Sequence, residues 1–140
     1  MTDKQASIEA AKKVYSDWAA GFATADLDKI VALYAPDAVL ESPLVNVLLK
    51  TDDGIVTGRD NLRNFFGIIL SDGPPLDDRH RESFFTDGKT MIWEYPRITP
   101  KGKQLEMTEV MHLENGLIKV HRIYWGWESA RKIFTEGYHG

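Results

Sequence analysis

The first third of the chain carries apolar residues at three- and four-residue steps, the spacing of one helical face. Such a stripe runs from Ile8 to Phe22, and Asp3 is placed to cap the helix that carries it. Asp26 is placed to cap a second, shorter helix, which Pro36 would end because proline lacks the N–H that a helix interior needs. The buried side of this second helix is expected to consist of Leu27, Ile30, Val31 and Tyr34.

The next part of the chain mixes extended and helical patterns. Residues 37–49 are rich in Val and Leu and are expected to be extended, with Pro43 marking a bulge or a sheet edge. Gly58 then opens a third helix, and residues 71–75 are expected to form a loop because they are rich in turn residues. The apolar face of the third helix comprises Leu62, Phe65, Phe66 and Ile69.

The second half of the chain has the pattern of strands separated by turns. Asp87-Gly88 is typical of a tight hairpin because glycine readily supplies a positive φ, and residues 100–102 and 114–116 give two further turn signals. Helices that come early and strands that come late predict an α+β fold with an antiparallel meander buried on one face. The four expected strands cover approximately residues 81–85, 90–98, 104–113 and 117–127.

Composition and charge narrow the class of protein. The 140 residues are 43% hydrophobic and 27% charged, which predicts a single globular domain, with a core from about residue 8 to residue 127 and a tail over 128–140. The absence of cysteine excludes disulfides and thiolate sites. A net charge of -4 with scattered basic residues argues against nucleic acid. Without a long apolar run or a signal core, we expect no membrane span and a cytoplasmic location.

Four segments together resemble the SnoaL-like branch of the nuclear transport factor 2-like superfamily. They are DLDKIVALYAPDA at residues 26–38, ESP at 41–43, GRDNLRNFF at 58–66 and GLIKVHRIYWG at 116–126. The resemblance implies a cone-shaped curved antiparallel sheet wrapped around N-terminal helices, with one apolar pocket and a homodimer formed through the outer sheet face. The family includes ketosteroid isomerases, polyketide cyclases, epoxide hydrolases, dehydratases and proteins of unknown role, so the resemblance does not choose one activity.

The last hairpin is where candidate chemistry appears. If Gly116 occupies the left-handed position of a three-residue loop, Leu113 lies opposite Leu117 and Glu109 faces His121. A two-residue turn would instead set Glu109 opposite Arg122; the resemblance favours the first register. Alternation then places one set of side chains on the pocket side of the sheet: Met107, Glu109, Met111, His121, Ile123 and Trp125.

A buried carboxylate beside an imidazole suits acid–base catalysis. Burial disfavours the charged form of each group, and pairing favours it. The balance can bring the pKa of either group near neutral pH. His121 oriented by Glu109, or Glu109 itself, could remove a proton beside a carbonyl, as an isomerase, lyase or cyclase requires. The two groups titrate jointly, so their roles stay open. The competing interpretation is a structural polar pair that fixes the strand register.

The best-defined templates of the family are matched only in part. Ketosteroid isomerases carry an acid directly before the proline of the first strand, where this chain has Ser42. Their tyrosine on the first helix corresponds most nearly to Trp18, and their second acid to Glu109. Cyclases and epoxide hydrolases carry an acid after the arginine of the last strand, where this chain has Ile123.

The remaining candidates are a ligand-binding wall and several polar residues outside it. We expect a small-molecule ligand, flat or ring-bearing, because aromatic side chains are frequent in the expected interior. His80 is expected at the pocket mouth or in solvent and His112 on the opposite face, while Glu94 should point away from Trp93 and Tyr95 and pair with Arg122. No metal-ligand spacing or phosphate loop is present, so we expect no metal and no cofactor. The ligand-binding candidates are Tyr15, Trp18, Ser42, Phe66, Trp93, Met107, Met111, Ile123 and Trp125.

Overall fold

Helices cover one face of a six-stranded curved sheet, which confirms the predicted α+β class. The computed structural model describes residues 2–71, 82–95 and 106–136. The elements in chain order are α1 (Asp3–Ala23), α2 (Leu27–Ala32), β1 (Tyr34–Glu41), α3 (Pro43–Leu49), β2 (Ile55–Thr57), α4 (Arg59–Leu70), β3 (Glu82–Thr86), β4 (Thr90–Glu94), β5 (Met107–Glu114), β6 (Leu117–Trp125) and α5 (Trp127–Glu136).

The strand order is β2-β1-β6-β5-β4-β3. Strands β3 to β6 form the predicted antiparallel meander. Strand β1, however, runs parallel to β6, so the expectation of a purely antiparallel sheet was wrong at this pair. The long connection between the two strands, with helices and the meander in it, allows the parallel arrangement, whereas short hairpin turns allow only the antiparallel one.

The region around Pro43 is helical and not extended as predicted. The strand ends at Glu41, and Ser42 caps helix α3 by accepting a hydrogen bond from the Leu44 backbone N–H at 3.1 Å. Pro43 occupies the first helical turn, where its missing N–H costs nothing and its fixed φ suits the helix. The sequence pattern also gave no indication of strand β2, and it left the tail undecided, where α5 now forms.

The boundaries of the first two helices explain how Tyr34 reaches the interior. Thr2, not Asp3, caps α1, in a reciprocal capping box with Gln5. Asp26 caps α2 as predicted, accepting a hydrogen bond from the Lys29 N–H at 3.1 Å. Because α2 ends at Ala32, Tyr34 begins β1 instead of closing the helix, and its side chain is fully buried.

Helix α4 and the turn at Gly88 agree with the sequence. Gly58 precedes α4, and Gly88 has a φ of 96°, a conformation that favours glycine. The predicted turn at residues 100–102, the loop beyond Ser71 and His80 lie outside the described residues. Among the described helices, no segment has both the length and the apolar character that crossing a bilayer demands.

Candidate functional site

The β5–β6 hairpin brings Glu109 and His121 together through a register that neither sequence alternative anticipated. A two-residue turn at Asn115 and Gly116 pairs Glu114 with Leu117, and one extra residue, Lys119, then shifts the ladder. As a result, Glu109 lies opposite Ile123 and Met111 opposite His121. From Met107 to His112 the pairing is shifted by two residues from the expected register, an even number, so the six side chains predicted on the inner face remain there.

Glu109 and His121 are in direct contact as diagonal neighbours across the two strands. His121 Nε2 lies 2.7 Å from Glu109 Oε1. His121 is 1% exposed and Glu109 is 3% exposed. The predicted meeting of a carboxyl group and an imidazole on the inner face is therefore present in the structure.

Two tyrosines extend this pair into a buried hydrogen-bond network. The Tyr95 hydroxyl donates to Glu109 Oε2. The Tyr34 hydroxyl lies 2.8 Å from His121 Nδ1, and the Trp18 indole N–H donates to the Tyr34 oxygen at 3.1 Å. We define the hydrogen-bond chain as the series Trp18, Tyr34, His121, Glu109 and Tyr95.

Neither tyrosine was predicted to belong to the site. The sequence predicts a helix that ends at Pro36 and therefore includes Tyr34. The sequence alternation predicts Tyr95 on the same side of the sheet as Trp93, and this alternation is the signal that links Tyr95 to the face carrying Glu109. Its backbone N–H bonds to Met107 O at 3.2 Å, so the β4–β5 ladder continues and Tyr95 points inward like Trp93.

The electrostatic surroundings keep the Tyr34 hydroxyl protonated. Burial raises the pKa of Tyr34 well above its usual value, because the charged phenolate would lose its hydration. The hydrogen bond from Trp18 opposes this rise, and the charge of Glu109 adds to it. Tyr34 is therefore a neutral hydroxyl with one proton to donate across the whole range in which the protein would work.

Most of the predicted ligand-binding residues surround the hydrogen-bond chain. Phe66, Trp93 and Met111 are buried, and Trp93 lies edge-on to Tyr15 with ring centroids 4.9 Å apart. Met107, Ile123 and Trp125 are partly exposed on the same face of the sheet. Ser42 is the exception: its hydroxyl caps α3, and it lines an outer cleft together with Glu41 and Arg122.

A cleft of about 350 Å³ lies at the end of strands β4, β5 and β6. Tyr95 lines this cleft, whereas Glu109 and His121 do not. Tyr95 therefore connects the cleft to the carboxyl group of Glu109. The lining residues are Glu94, Tyr95, Glu106, Met107, Thr108, Tyr124, Trp125 and Gly126.

Two indole N–H groups in this region have no acceptor. Trp93 Nε1 and Trp125 Nε1 are buried, and neither makes a hydrogen bond in the described structure. A buried donor without a partner costs about 1–3 kcal/mol. Trp93 pairs with Glu109 across β4 and β5, and Trp125 pairs with Met107 across β5 and β6, so both lie on the strands that carry the candidate site.

The outer face of the sheet holds a separate polar group. His112 is on this face, as predicted, with Nδ1 3.2 Å from Thr90 Oγ1 and Nε2 3.3 Å from Arg122 Nη1. Arg122 forms its ion pair with Glu41 at 3.1 Å, so the predicted pairing with Glu94 was wrong. Parallel pairing of β1 with β6 explains the difference, because it places Glu41 directly beside Arg122.

Acidic and imidazole groups do not gather in threes, as a metal ion would need, anywhere in the described part of the chain. His121 has a protein group on each ring nitrogen and belongs to a hydrogen-bond network. The chemistry that this arrangement supports is the movement of protons along short hydrogen bonds between Tyr, His and Glu.

Comparison with known proteins agrees with this architecture. A family model described as the SnoaL-like domain matches residues 15–121. That range includes α1 from its middle, all of β1 to β5 and both members of the Glu109–His121 pair. No curated protein sequence matches the chain significantly.

Solved structures show the same fold at low sequence identity. A SnoaL-like protein of unknown function from Burkholderia thailandensis superposes with a TM-score of 0.67 at 17% identity, covering 84% of this chain and 95% of its own. A candidate polyketide cyclase from Sinorhizobium meliloti superposes with a TM-score of 0.58 at 14% identity, covering 80% of this chain and 94% of its own. A candidate ketosteroid isomerase from Kribbella flavida superposes with a TM-score of 0.59 at 14% identity, covering 84% of this chain and 78% of its own. At these identities the likeness concerns the fold.

Proposed function

Because this chain belongs to the SnoaL-like domain family, we propose that it is a cofactor-independent enzyme that moves protons on a small, largely apolar, carbonyl-bearing compound. The reaction is an isomerisation, elimination or cyclisation. The observation that carries the proposal is the 2.7 Å contact between Glu109 and His121 inside an apolar wall. Structural neighbours described as a candidate cyclase and a candidate isomerase give the same reaction class.

The surroundings of Glu109 suit a proton acceptor. Burial destabilises its charge, while the hydrogen bonds from His121 and Tyr95 stabilise it. The balance of these opposed effects can hold a carboxylate that is ionised and still basic enough to take a proton. A carboxylate in solvent, hydrated on all sides, would be a weaker base toward a carbon acid.

The two unpartnered indole N–H groups indicate what the ligand offers. A carbonyl oxygen that accepted from Trp93 or Trp125 would remove the cost of a buried donor without an acceptor. The same donors would stabilise the negative charge that forms on this oxygen when the neighbouring carbon loses its proton. A ring-bearing ligand in the cleft would also pack against the aromatic residues Tyr95 and Trp125, which line it.

The experiment is proton exchange on 2-tetralone, a small aromatic ketone, followed by ¹H NMR in D₂O. We expect the protein to accelerate loss of the α-proton signal with saturation kinetics, and 2-naphthol, a planar mimic of the enol, to inhibit competitively. Exchange no faster than in a buffer blank, across 2-tetralone and a panel of other enolisable aryl ketones, would contradict the proposal.

A second candidate function is a non-catalytic module that binds a small ligand. It is favoured by the residues at two template positions, Ser42 and Ile123, which cannot act as acids. The same exchange experiment separates the two functions. Quenching of tryptophan fluorescence by 2-naphthol without any exchange of 2-tetralone would support the binding module and reject the enzyme.

We also propose a homodimer formed through the outer face of the sheet. A row of paired residues crosses all six strands on this face, with apolar side chains on both sides of the ion pair between Glu41 and Arg122. Exposed apolar groups in such a row suit a self-complementary two-fold contact, in which the same patch serves both copies. The row consists of Ile55, Glu41, Arg122, Val110, Ile92 and Phe85.

Light scattering coupled to gel filtration tests the dimer. Ile92 is 39% exposed within this row, so Ile92→Arg should bring a buried, unpaired positive charge from each copy into the contact and give a monomer. The matched control is Ala10→Arg, on the exposed side of α1. The measured mass of this variant should remain that of a dimer. A monomeric mass for the wild-type chain, or a dimeric mass for Ile92→Arg, would reject this interface.

A further inference from the structure

We propose that Tyr95 is the catalytic residue that meets the ligand, and that Trp18, Tyr34 and His121 are positioning residues that hold Glu109 as the proton acceptor behind it. This inference rests on the proposed function and assigns roles within the same site. The observations that carry it are the hydrogen-bond chain and the position of Tyr95 in the wall of the cleft.

The direction of the hydrogen bonds follows from the chemistry of the groups at one end. The Trp18 indole nitrogen can only donate, so the Tyr34 oxygen accepts its bond. The Tyr34 proton must then go to the other partner of its hydroxyl, which is His121 Nδ1 at 2.8 Å. A nitrogen that accepts carries no proton of its own, so the imidazole proton lies on Nε2 and points to Glu109 Oε1.

This arrangement of hydrogen bonds determines which tautomer His121 adopts. Burial keeps Tyr34 protonated, because its pKa is raised well above the usual value, so the donor to Nδ1 is present throughout the working range. The groups facing the imidazole are Tyr34 from β1, Glu109 from β5 and Trp18 from α1. With both ring nitrogens engaged by protein groups, His121 orients and stabilises the carboxylate and does not itself reach a ligand.

Of the residues in the hydrogen-bond chain, Tyr95 is the one that lines the cleft. Glu109 is 3% exposed and does not line the cleft, whereas Tyr95 lines it and donates to Glu109 Oε2. In the forward step the ligand's α-proton passes to the Tyr95 oxygen while the Tyr95 hydroxyl proton passes to Glu109. The electron pair of the broken C–H bond becomes the enolate. In the return step Glu109 gives its proton back to Tyr95, and Tyr95 delivers one to the ligand.

The first test reads the tautomer of His121 directly and does not depend on activity. In long-range ¹H–¹⁵N spectra of the labelled full chain, we expect an unprotonated, hydrogen-bonded Nδ1 and a protonated Nε2. Tyr34→Phe keeps the ring and removes the donor, so the Nδ1 resonance should move to the position of a free imine nitrogen. A proton on Nδ1 in the wild-type protein, or no change in Tyr34→Phe, would overturn the positioning role.

The second test compares Tyr95→Phe with wild type in 2-tetralone exchange. Because phenylalanine fills the same space but cannot relay a proton, kcat should fall at least about tenfold with KM nearly unchanged. Near-UV circular dichroism should remain as in wild type.

The two proposals fail in different ways. If Tyr95→Phe keeps kcat within about twofold of wild type while Glu109→Gln is inactive, the acid–base function stands and the relay through Tyr95 is rejected. If the wild-type protein itself catalyses no exchange, the function falls and the relay falls with it. The affinity for 2-naphthol tests whether Tyr95→Phe is correctly folded. The variant should bind 2-naphthol as tightly as the wild-type protein does. Weaker binding would contradict a role for Tyr95 in proton transfer alone.

Discussion

Replacement of Glu109 by glutamine is expected to lower kcat for 2-tetralone exchange by about 10²–10⁴-fold, the range that a positioned general base contributes. This loss corresponds to about 3–5 kcal/mol of activation free energy. Glutamine has nearly the shape of glutamate but carries one acceptor oxygen in place of two and cannot take up a proton. The donors from His121 and Tyr95 both point at this group, so one of them would face an amide N–H.

The matched control is Glu114→Gln on the same strand. Glu114 is exposed at the end of β5, and its odd spacing from Glu109 directs it away from the hydrogen-bond chain. We expect this variant to exchange 2-tetralone at the wild-type rate, and His121→Ala to lose activity because the carboxylate loses its oriented donor. Activity of Glu109→Gln within about twofold of wild type would reject Glu109 as the proton acceptor.

The sequence contained enough information to place Glu109 and His121 on one face, although both registers derived from it were wrong. Turn chemistry alone does not reveal that β6 carries an extra residue at Lys119. Inner or outer placement depends only on whether a residue is an odd or even number of positions along the strand. The site survived the wrong register because the total shift was even.

Tyr34 shows where sequence reasoning stopped being sufficient. The pattern of residues 26–36 is compatible with a helix that continues to the proline and with one that ends at Ala32. The choice is made by pairing of β1 with β6, a contact between residues that are far apart in the chain. No local pattern encodes that partner, so the hydroxyl that orients His121 could not be assigned from the sequence.

Ser42 and Pro43 show a different cause of error. A proline after a run of Val and Leu suggests the edge of a sheet, but Ser-Pro is also the start of a helix, with serine as cap and proline in the first turn. The local signal was present and ambiguous. Its correct interpretation makes Ser42 the N-cap of α3, with its hydroxyl oxygen accepting from the Leu44 N–H.

Truncation of Phe65 is expected to have the largest effect on stability. Its ring is fully buried in α4 and lies 5.7 Å from that of Phe66. Phe65→Ala removes the transfer free energy of the ring and leaves a cavity, which together cost about 3–5 kcal/mol. Since domains of this size have about 5–15 kcal/mol of stability in total, the loss should lower Tm by roughly 10 °C or more.

Phe134 provides the same substitution at an exposed site. Its ring, in α5, is 59% exposed, so Phe134→Ala removes little buried surface and should change the free energy of unfolding by no more than about 0.5 kcal/mol. Urea unfolding followed by far-UV circular dichroism measures both variants under one condition. Similar losses in the two proteins would contradict the packing of α4, since helix propensity, which favours alanine over phenylalanine at both positions, cannot produce the expected difference. A large loss at Phe65 alone would show that the buried side of α4 contributes strongly to stability.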